Sequence, residues 1–274
     1  MKQIVVGIDF SKNSIHALQY AVQFARHAEA GLTLVWVNNA TTSEYIFDSL
    51  NGEIKQEKKD KFKELLSEYQ PQLGKQKIDF KLRKGKVHTE MNAVAKMVSA
   101  DLIIAGTHGI SGFEEYWIGS NAYRIVTHAP CPVLTLRYDF EYGDKIKRII
   151  LPIDSSQETK QKRPVALEVA KLYDSEVLIL AMYTTTLKSF HKRIDHFAEQ
   201  AKDALLKEGI DYTDTSLQWT LDQEPVSREK YQDIYNLEDE DLDYQYEYYL
   251  RILEKEPTPI GEDLYTDIQY AIFD

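Results

Sequence analysis

The chain has 274 residues, a formal net charge of −11 at pH 7, and 43% hydrophobic residues. This much apolar sequence can bury a sizeable core, which excludes a wholly disordered chain, and the length favours two domains over one. The single cysteine, Cys131, excludes a disulfide framework, and the sequence shows neither a signal peptide nor a run of ~18 apolar residues, so we expect a cytoplasmic protein without a membrane partner.

The first half of the chain alternates strand patterns with helix patterns. Short apolar runs predict buried strands, and apolar residues spaced three or four apart predict helices. The predicted strands cover residues 3–9, 32–37, 78–82, 101–105 and 133–136. The predicted helices cover residues 18–28, 53–69, 91–98 and 119–128. Strict alternation of five strands with four helices predicts a parallel sheet covered on both faces.

The pattern starts again near residue 147. Residues 148–156 (RIILPIDSS) align with residues 3–11 (QIVVGIDFS), and both share Ile-Asp followed by a serine two residues after the Asp. The strands and helices predicted after this start cover residues 177–182, 216–221, 164–173 and 190–208. An internal repeat explains the similarity. We therefore predict one domain over residues 1–141 and a second over residues 142–274.

The repeat does not continue to the end of the chain. Nothing after residue 222 resembles residues 101–136. Residues 226–274 instead hold 14 acidic and 4 basic residues and 8 of the 18 tyrosines, whereas the other 225 residues have a net charge of only −1. We predict a truncated or rebuilt second domain with an acidic, tyrosine-rich C-terminal segment. Because no basic stripe would attract a nucleic-acid backbone, we expect no nucleic-acid partner.

A glycine-rich segment follows the fourth predicted strand. Gly106 and Gly109 are three positions apart, and after nine intervening residues Gly119-Ser120 opens the next predicted helix. Glycines let a backbone turn tightly and approach a ligand, and a helix start offers free amides and the positive end of the helix dipole. Ligands of open parallel sheets bind at the carboxyl ends of the strands. The segment is neither a P-loop nor a GxGxxG fingerprint, but it meets the requirements of a phosphate site.

The spacing G-x2-G-x9-G-[ST] resembles the nucleotide-binding signature of the universal stress protein family. Residues 6–11 (VGIDFS) and 129–134 (APCPVL) resemble two further parts of that family's sequence, and the resemblance spans residues 1–137. Because residues 148–222 resemble the beginning of another such domain, the chain resembles a tandem member. The fold class implied is α/β, with two open-sheet, parallel, Rossmann-like domains of the adenine nucleotide alpha hydrolase-like type, packed as a pseudo-dimer.

The resemblance implies an ATP site in the first domain, with Mg²⁺ carried by the phosphates. Asp9 would lie beside the adenine or ribose, and the backbone of Val37 would contact the adenine. The ribose and phosphates would be held by Gly106, His108, Gly109, Gly119, Ser120 and Asn121. In the second domain, Pro152, Asp154 and Ser156 keep the first part of the pattern without a glycine loop, so we expect no ATP there by this mode.

Two departures from the family pattern concern the first domain. Gly7 stands where the family usually has proline, and Asn121 stands where it commonly has a small apolar residue. We assign no catalytic residue and no metal ligand. The function implied is a regulatory or sensing role in the stress response through an unknown protein partner, with homodimer formation possible by resemblance.

Structural alternatives exist for several of these residues. Asp9 could cap the following helix, although Ser11 or Asn13 could do so instead. His108 could be an exposed loop histidine, and Ser120 could serve only as an N-cap. Two functional alternatives also stand beside ATP-dependent regulation. One is a nucleotide-independent interaction protein that acts through the acidic segment, and the other is a slow ATP hydrolase or transferase on the same scaffold.

Overall fold

The computed structural model describes residues 1–39, 47–107, 120–137, 143, 145–183 and 187–218. The chain divides into two compact units, one ending at Lys145 and the other beginning at Ile146. The predicted division into residues 1–141 and 142–274 stays a prediction, since the acidic C-terminal segment lies outside the described residues. Among the described helices, none combines the length and apolar character that crossing a membrane requires.

Five parallel strands form the sheet of the first unit. They are β1 (Gln3–Gly7), β2 (Gly31–Asn38), β3 (Ile78–Lys84), β4 (Leu102–Gly106) and β5 (Val133–Leu136). Their spatial order is β3-β2-β1-β4-β5. In this register Val5 pairs with Thr33 of β2 on one side and with Ile103 of β4 on the other. The chain moves outward from β1 to β3 and then crosses to β4, so the strand order reverses between β1 and β4.

Four helices cover this sheet. They are α1 (Lys12–Ala28), α2 (Phe47–Tyr69), α3 (Val87–Met97) and α4 (Ser120–His128), with a short 3₁₀ turn at Gln70–Leu73 after α2. Val5 and Val35 belong to a buried cluster with residues of α3 and α4. Because side chains alternate along a strand, Leu34 and its cross-strand neighbour Phe80 point to the other face. There Phe80 stacks on Phe62 of α2.

The second unit repeats this arrangement on a smaller scale. Its described elements are β6 (Arg148–Ile153), α5 (Thr159–Tyr173), β7 (Glu176–Tyr183), α6 (Lys188–Lys207) and β8 (Tyr212–Gln218). The strands are parallel in the order β6-β7-β8, which matches the order β1-β2-β3. The predicted α/β class with open parallel sheets is therefore confirmed.

Two predicted boundaries in the second unit were wrong. The third strand begins at residue 212 rather than 216, because pairing with β7 fixes its position while exposed side chains along it leave no apolar pattern. The predicted end at residue 221 lies outside the described residues. Helix α5 begins at Thr159, five residues before Pro164, which lies inside it. Proline normally favours the first turn of a helix, so the sequence pattern placed the start too late.

Candidate functional site

Three of the predicted site residues lie at one edge of the first sheet. Asp9 follows β1, Val37 lies near the end of β2, and Gly106 ends β4. These strands are consecutive in the sheet, in the order β2-β1-β4, so the three residues meet at the carboxyl edge beside the reversal of strand order. Ser120 and Asn121 are exposed in the first turn of α4. The other predicted site residues, His108, Gly109 and Gly119, lie outside the described residues.

A network of hydrogen bonds fixes the turn that carries Asp9. Asp9 Oδ1 accepts a hydrogen bond from the Ser11 amide at 2.9 Å, and the Asp9 amide donates to Ser14 Oγ at 3.2 Å. Ser11 Oγ accepts from the Ser14 amide at 3.2 Å. Ser11 is therefore the N-cap of α1, and the alternative in which Asp9 caps this helix is wrong. The Asp9 carboxylate is held at the sheet edge by one of its two oxygens.

The second unit contains the same network. Asp154 Oδ1 accepts from the Ser156 amide at 2.8 Å, and the Asp154 amide donates to Thr159 Oγ1 at 3.2 Å. Ser156 Oγ in turn accepts from the Thr159 amide at 3.3 Å. Sequence reasoning found the Asp and the Ser but missed the buried hydroxyl five residues after the Asp, Ser14 in one unit and Thr159 in the other. That shared spacing was the available signal.

Gly106 is required by packing rather than by backbone conformation. It is not among the residues with a positive φ. A Cβ atom at this position would lie 3.2 Å from the carbonyl oxygen and 3.3 Å from the carbonyl carbon of Asn13. The absence of a side chain therefore lets the end of β4 lie against the start of α1. Next to it, the Thr107 amide donates to the Leu136 carbonyl at 3.0 Å, which extends the ladder between β4 and β5.

The end of β2 places the Val37 backbone beside positive charge. The Val37 side chain is partly buried against the cluster under α3 and α4. In the register of β2 with β3, Val37 pairs with Arg83 and Asn38 pairs with Lys84. The Arg83 guanidinium donates to Met97 Sδ at the end of α3 at 3.3 Å, so the exposed Lys84 is the cationic residue that β3 brings to the carboxyl ends, where positive charge favours an anionic ligand.

Aromatic and cationic side chains surround the residue after Asp9. Phe10 has a φ of 65°, a left-handed conformation that costs a non-glycine residue roughly 1–2 kcal/mol. Its ring packs edge-on against Phe62, with centroids 5.1 Å apart, and the Lys58 and Lys61 ammonium groups lie 5.2 and 5.6 Å from its centroid. Glu57 hydrogen-bonds both lysines, and Lys61 first of all holds the pKa of Glu57 below its usual value. Sequence reasoning missed this cluster.

The model of the universal stress protein family matches residues 1–137, which contain the whole first sheet and its predicted site. The chain belongs to the universal stress protein family. The match ends before the second unit begins at Ile146.

Relatives of known sequence resemble the first unit. A universal stress protein of Staphylococcus epidermidis is 33% identical over 141 residues, which cover 50% of this chain and 84% of the relative. One of Staphylococcus aureus strain USA300 is 32% identical with the same coverage. The crystal structure of a universal stress protein from Archaeoglobus fulgidus has a TM-score of 0.63 at 17% identity and covers 85% of this chain and 82% of that one. The structural likeness shows the fold alone.

The described residues of this universal stress protein contain no metal-binding cluster. No group of three or more His, Cys, Asp or Glu side chains in residues 1–39, 47–107, 120–137, 143, 145–183 and 187–218 could hold a metal ion.

Cys131 should react slowly with alkylating agents. Its side chain is partly buried against the apolar cluster under α3 and α4, and burial first and the Asp101 charge second raise its pKa to about 11. At pH 8 we expect alkylation by iodoacetamide roughly 100-fold slower than for a free thiol with a pKa near 8.5. The rate should rise about tenfold per pH unit without a plateau at pH 9. A plateau near pH 9, measured by mass spectrometry on folded protein, would contradict burial of the thiol.

Proposed function

We propose that the first unit binds an adenine nucleotide, ATP, and that nucleotide occupancy serves a sensing or regulatory role in the stress response. The observation that supports this most is the placement of Asp9, Val37 and Gly106 at the ends of three consecutive strands. These strands flank the reversal of strand order, where open parallel sheets bind their ligands. Membership of the universal stress protein family fits this proposal, and the glycine spacing in the same unit adds to it.

Each residue has a defined part in the proposed site. The Asp9 oxygen that does not accept from Ser11 would accept hydrogen bonds from ribose hydroxyls or the adenine amino group. The Val37 backbone would bond the adenine edge. Ser120 and Asn121 are exposed at the positive end of α4 and would contact phosphate. The remaining contacts would come from the loop before α4: Gly106, His108, Gly109 and Gly119. This donor set suits phosphate oxygens, and Mg²⁺ would be held by the phosphates.

Charge at the sheet edge favours a ligand that carries phosphate. Lys84 lies beside the end of β2, and the half-buried Lys58 ammonium lies 5.9 Å from the Trp36 ring, next to Val37. Lys58 and Lys61 share one carboxylate, that of Glu57, so a net positive charge remains. Together they place positive charge at the same edge as the free amides of α4. This arrangement favours ATP over a neutral nucleoside.

The second unit has the turn but lacks the glycine sequence. We propose that the chain is a tandem member whose second unit binds no ATP in this way. Asp154 keeps the hydrogen bonds of Asp9, yet no G-x2-G-x9-G-[ST] spacing follows it in the sequence. The two aspartates therefore form a matched pair for testing which turn serves a ligand.

Thermal unfolding with and without millimolar ATP and Mg²⁺ tests the proposal. A ligand at 100 times its dissociation constant stabilises the native state by about 2.7 kcal/mol, which should raise the unfolding midpoint by roughly 5–10 °C. Asp9→Ala and Gly119→Val should remove this shift. Asp154→Ala breaks the equivalent turn in the second unit and should leave it unchanged.

The control for this experiment tests whether the purified protein already carries bound nucleotide. Denatured protein is first assayed for released adenine nucleotide, because a filled site would mask the shift. If ATP does not shift the unfolding midpoint and no nucleotide is released, the proposal is wrong. ATP turnover above the Gly119→Val background would instead favour a slow hydrolase or transferase.

A further inference from the structure

The second unit carries a concentration of positive charge at one edge of its sheet. Five basic residues lie in the first halves of α5 and α6, and we call them the basic rim: Lys160, Arg163, Lys188, Lys192 and Arg193. Because α5 follows β6 and α6 follows β7, these helix halves lie at the carboxyl edge of the parallel sheet. The helix dipoles add positive potential at the same edge. The acidic residues nearby are fewer: Asp154, Glu158 and Asp195.

Contacts between the two helices join the basic rim into one surface. The Lys160 ammonium of α5 lies 4.3 Å from the ring centroid of Phe197 in α6. Arg163 donates to the Gln200 carbonyl of α6 at 3.3 Å. Arg193 of α6 donates to the Ser155 carbonyl, in the turn before α5, at 3.4 Å. The cations of one helix therefore reach across to the other.

The ion pairs that can be named among the described residues of the second unit lie outside the basic rim. Lys202 pairs with Glu199 at 3.2 Å and with Asp214 at 3.0 Å, Arg148 pairs with Glu176, and Lys171 pairs with Glu208. In the part of the chain that the structure describes, no salt bridge involves Lys160, Arg163, Lys188, Lys192 or Arg193. The carboxylates of these ion pairs therefore do not neutralise the positive charge of the basic rim.

The described part of the chain ends at the same edge of the sheet as the basic rim. Strand β8 ends at Gln218, which pairs with Tyr183 at the end of β7, so the described chain ends at the same carboxyl edge. Residues 226–274 start eight positions later and carry a net charge of −10 with eight tyrosines. Eight residues span up to about 26 Å, while β6 and β8 are only about 10 Å apart. Eight residues after Gln218 are therefore long enough to span the sheet as far as the basic rim.

We propose that the basic rim is the docking surface for the chain's own acidic segment, residues 226–274. Its carboxylates would pair with the rim cations, and its tyrosine rings would stack on the arginine and lysine side chains. Tethering gives such a segment an effective concentration in the millimolar range, which favours it over free anions. The proposal does not depend on nucleotide binding by the first unit.

Zero-length carbodiimide coupling of the full chain tests this proposal, because it joins only carboxylates and lysines already in contact. At low ionic strength we expect residues 226–274 to couple to Lys160, Lys188 or Lys192, and the products to disappear at about 0.5 M NaCl, where charges are screened. The exposed Lys147 and Lys207, at the other edge of the second sheet, are the matched controls. Equal coupling to these two lysines, or coupling mainly to the first unit, would overturn the proposal.

An isotope experiment tests whether a second copy of the chain, and not the chain's own acidic segment, occupies the basic rim. In a mixture of ¹⁵N-labelled and unlabelled protein, cross-links that join the two isotopes would show a second copy on the rim, against the proposal.

Lys188→Glu with Lys192→Glu changes two exposed side chains and should speed cleavage of residues 226–274 by a glutamate-specific protease several-fold at low salt. Lys147→Glu with Lys207→Glu, the control variant, should leave the cleavage rate of residues 226–274 unchanged. An unchanged cleavage rate in the rim variant, with its unfolding midpoint retained, would contradict docking.

Discussion

Phe62→Ala should lower the free energy of unfolding by about 3–5 kcal/mol, the usual cost of removing a buried phenyl ring. Phe62 is 0% exposed. Its ring stacks on Phe80 with centroids 4.8 Å apart and packs edge-on against Phe10 at 5.1 Å. The substitution leaves a cavity between α2 and the sheet and removes two aromatic contacts. Urea denaturation followed by circular dichroism measures the loss.

Phe62→Leu is the control for this prediction. It preserves most of the volume, so it should cost less than about 1.5 kcal/mol if filling space is what matters. A loss as large as that of Phe62→Ala would show that the aromatic stacking itself dominates. A loss below about 1 kcal/mol for Phe62→Ala would mean that the surroundings collapse into the cavity, against the packing described.

Gly106→Val should destabilise the first unit by about 1–3 kcal/mol, because overpacking forces the backbone to move. The first added carbon would lie 3.2 Å from the Asn13 carbonyl oxygen, and this neighbour is helix backbone that cannot rotate away. Separating β4 from α1 would also displace the edge proposed to bind ATP. We expect a weaker or absent ATP shift in thermal unfolding, together with a lower midpoint.

Gly106→Ala and Gly7→Ala form a matched pair for the same contact. Both glycines end a parallel strand of the first sheet, and both substitutions gain about 0.4–1 kcal/mol from a less flexible unfolded chain. At Gly7 the new Cβ would meet the flexible end of Met91 at 3.4 Å, so Gly7→Ala should be neutral or stabilising. Gly106→Ala should be less stable than Gly7→Ala, and equal stabilities would contradict the packing role of Gly106.

The sequence predicted the fold well because burial has a local pattern. Strands β1 and β4 are apolar runs, and in the amphipathic helices between them apolar residues recur every three or four positions. Strand β8 was misplaced because its exposed side chains carry no such pattern, and its position depends on hydrogen bonds with β7. Pairing partners far apart in the sequence cannot be read from the strand itself.

Parts of the candidate site were predictable for a similar reason. Asp9 follows one apolar strand and Gly106 ends another, so their place at the sheet edge is a consequence of topology. The contact of Gly106 with Asn13 and the grouping of Phe10 with Lys58 depend on how helices lie on the sheet. No spacing within one segment contains that information, so the sequence could not show them.

The shared turn of the two units changes what an aspartate at a strand end can signify. In both units the carboxylate accepts a hydrogen bond from the amide two residues ahead and fixes the turn that precedes a helix, whether or not a glycine sequence follows. A role in folding alone is therefore a sufficient reason for an aspartate at this position, whether or not the unit binds a ligand. By itself this aspartate is not evidence of a nucleotide site.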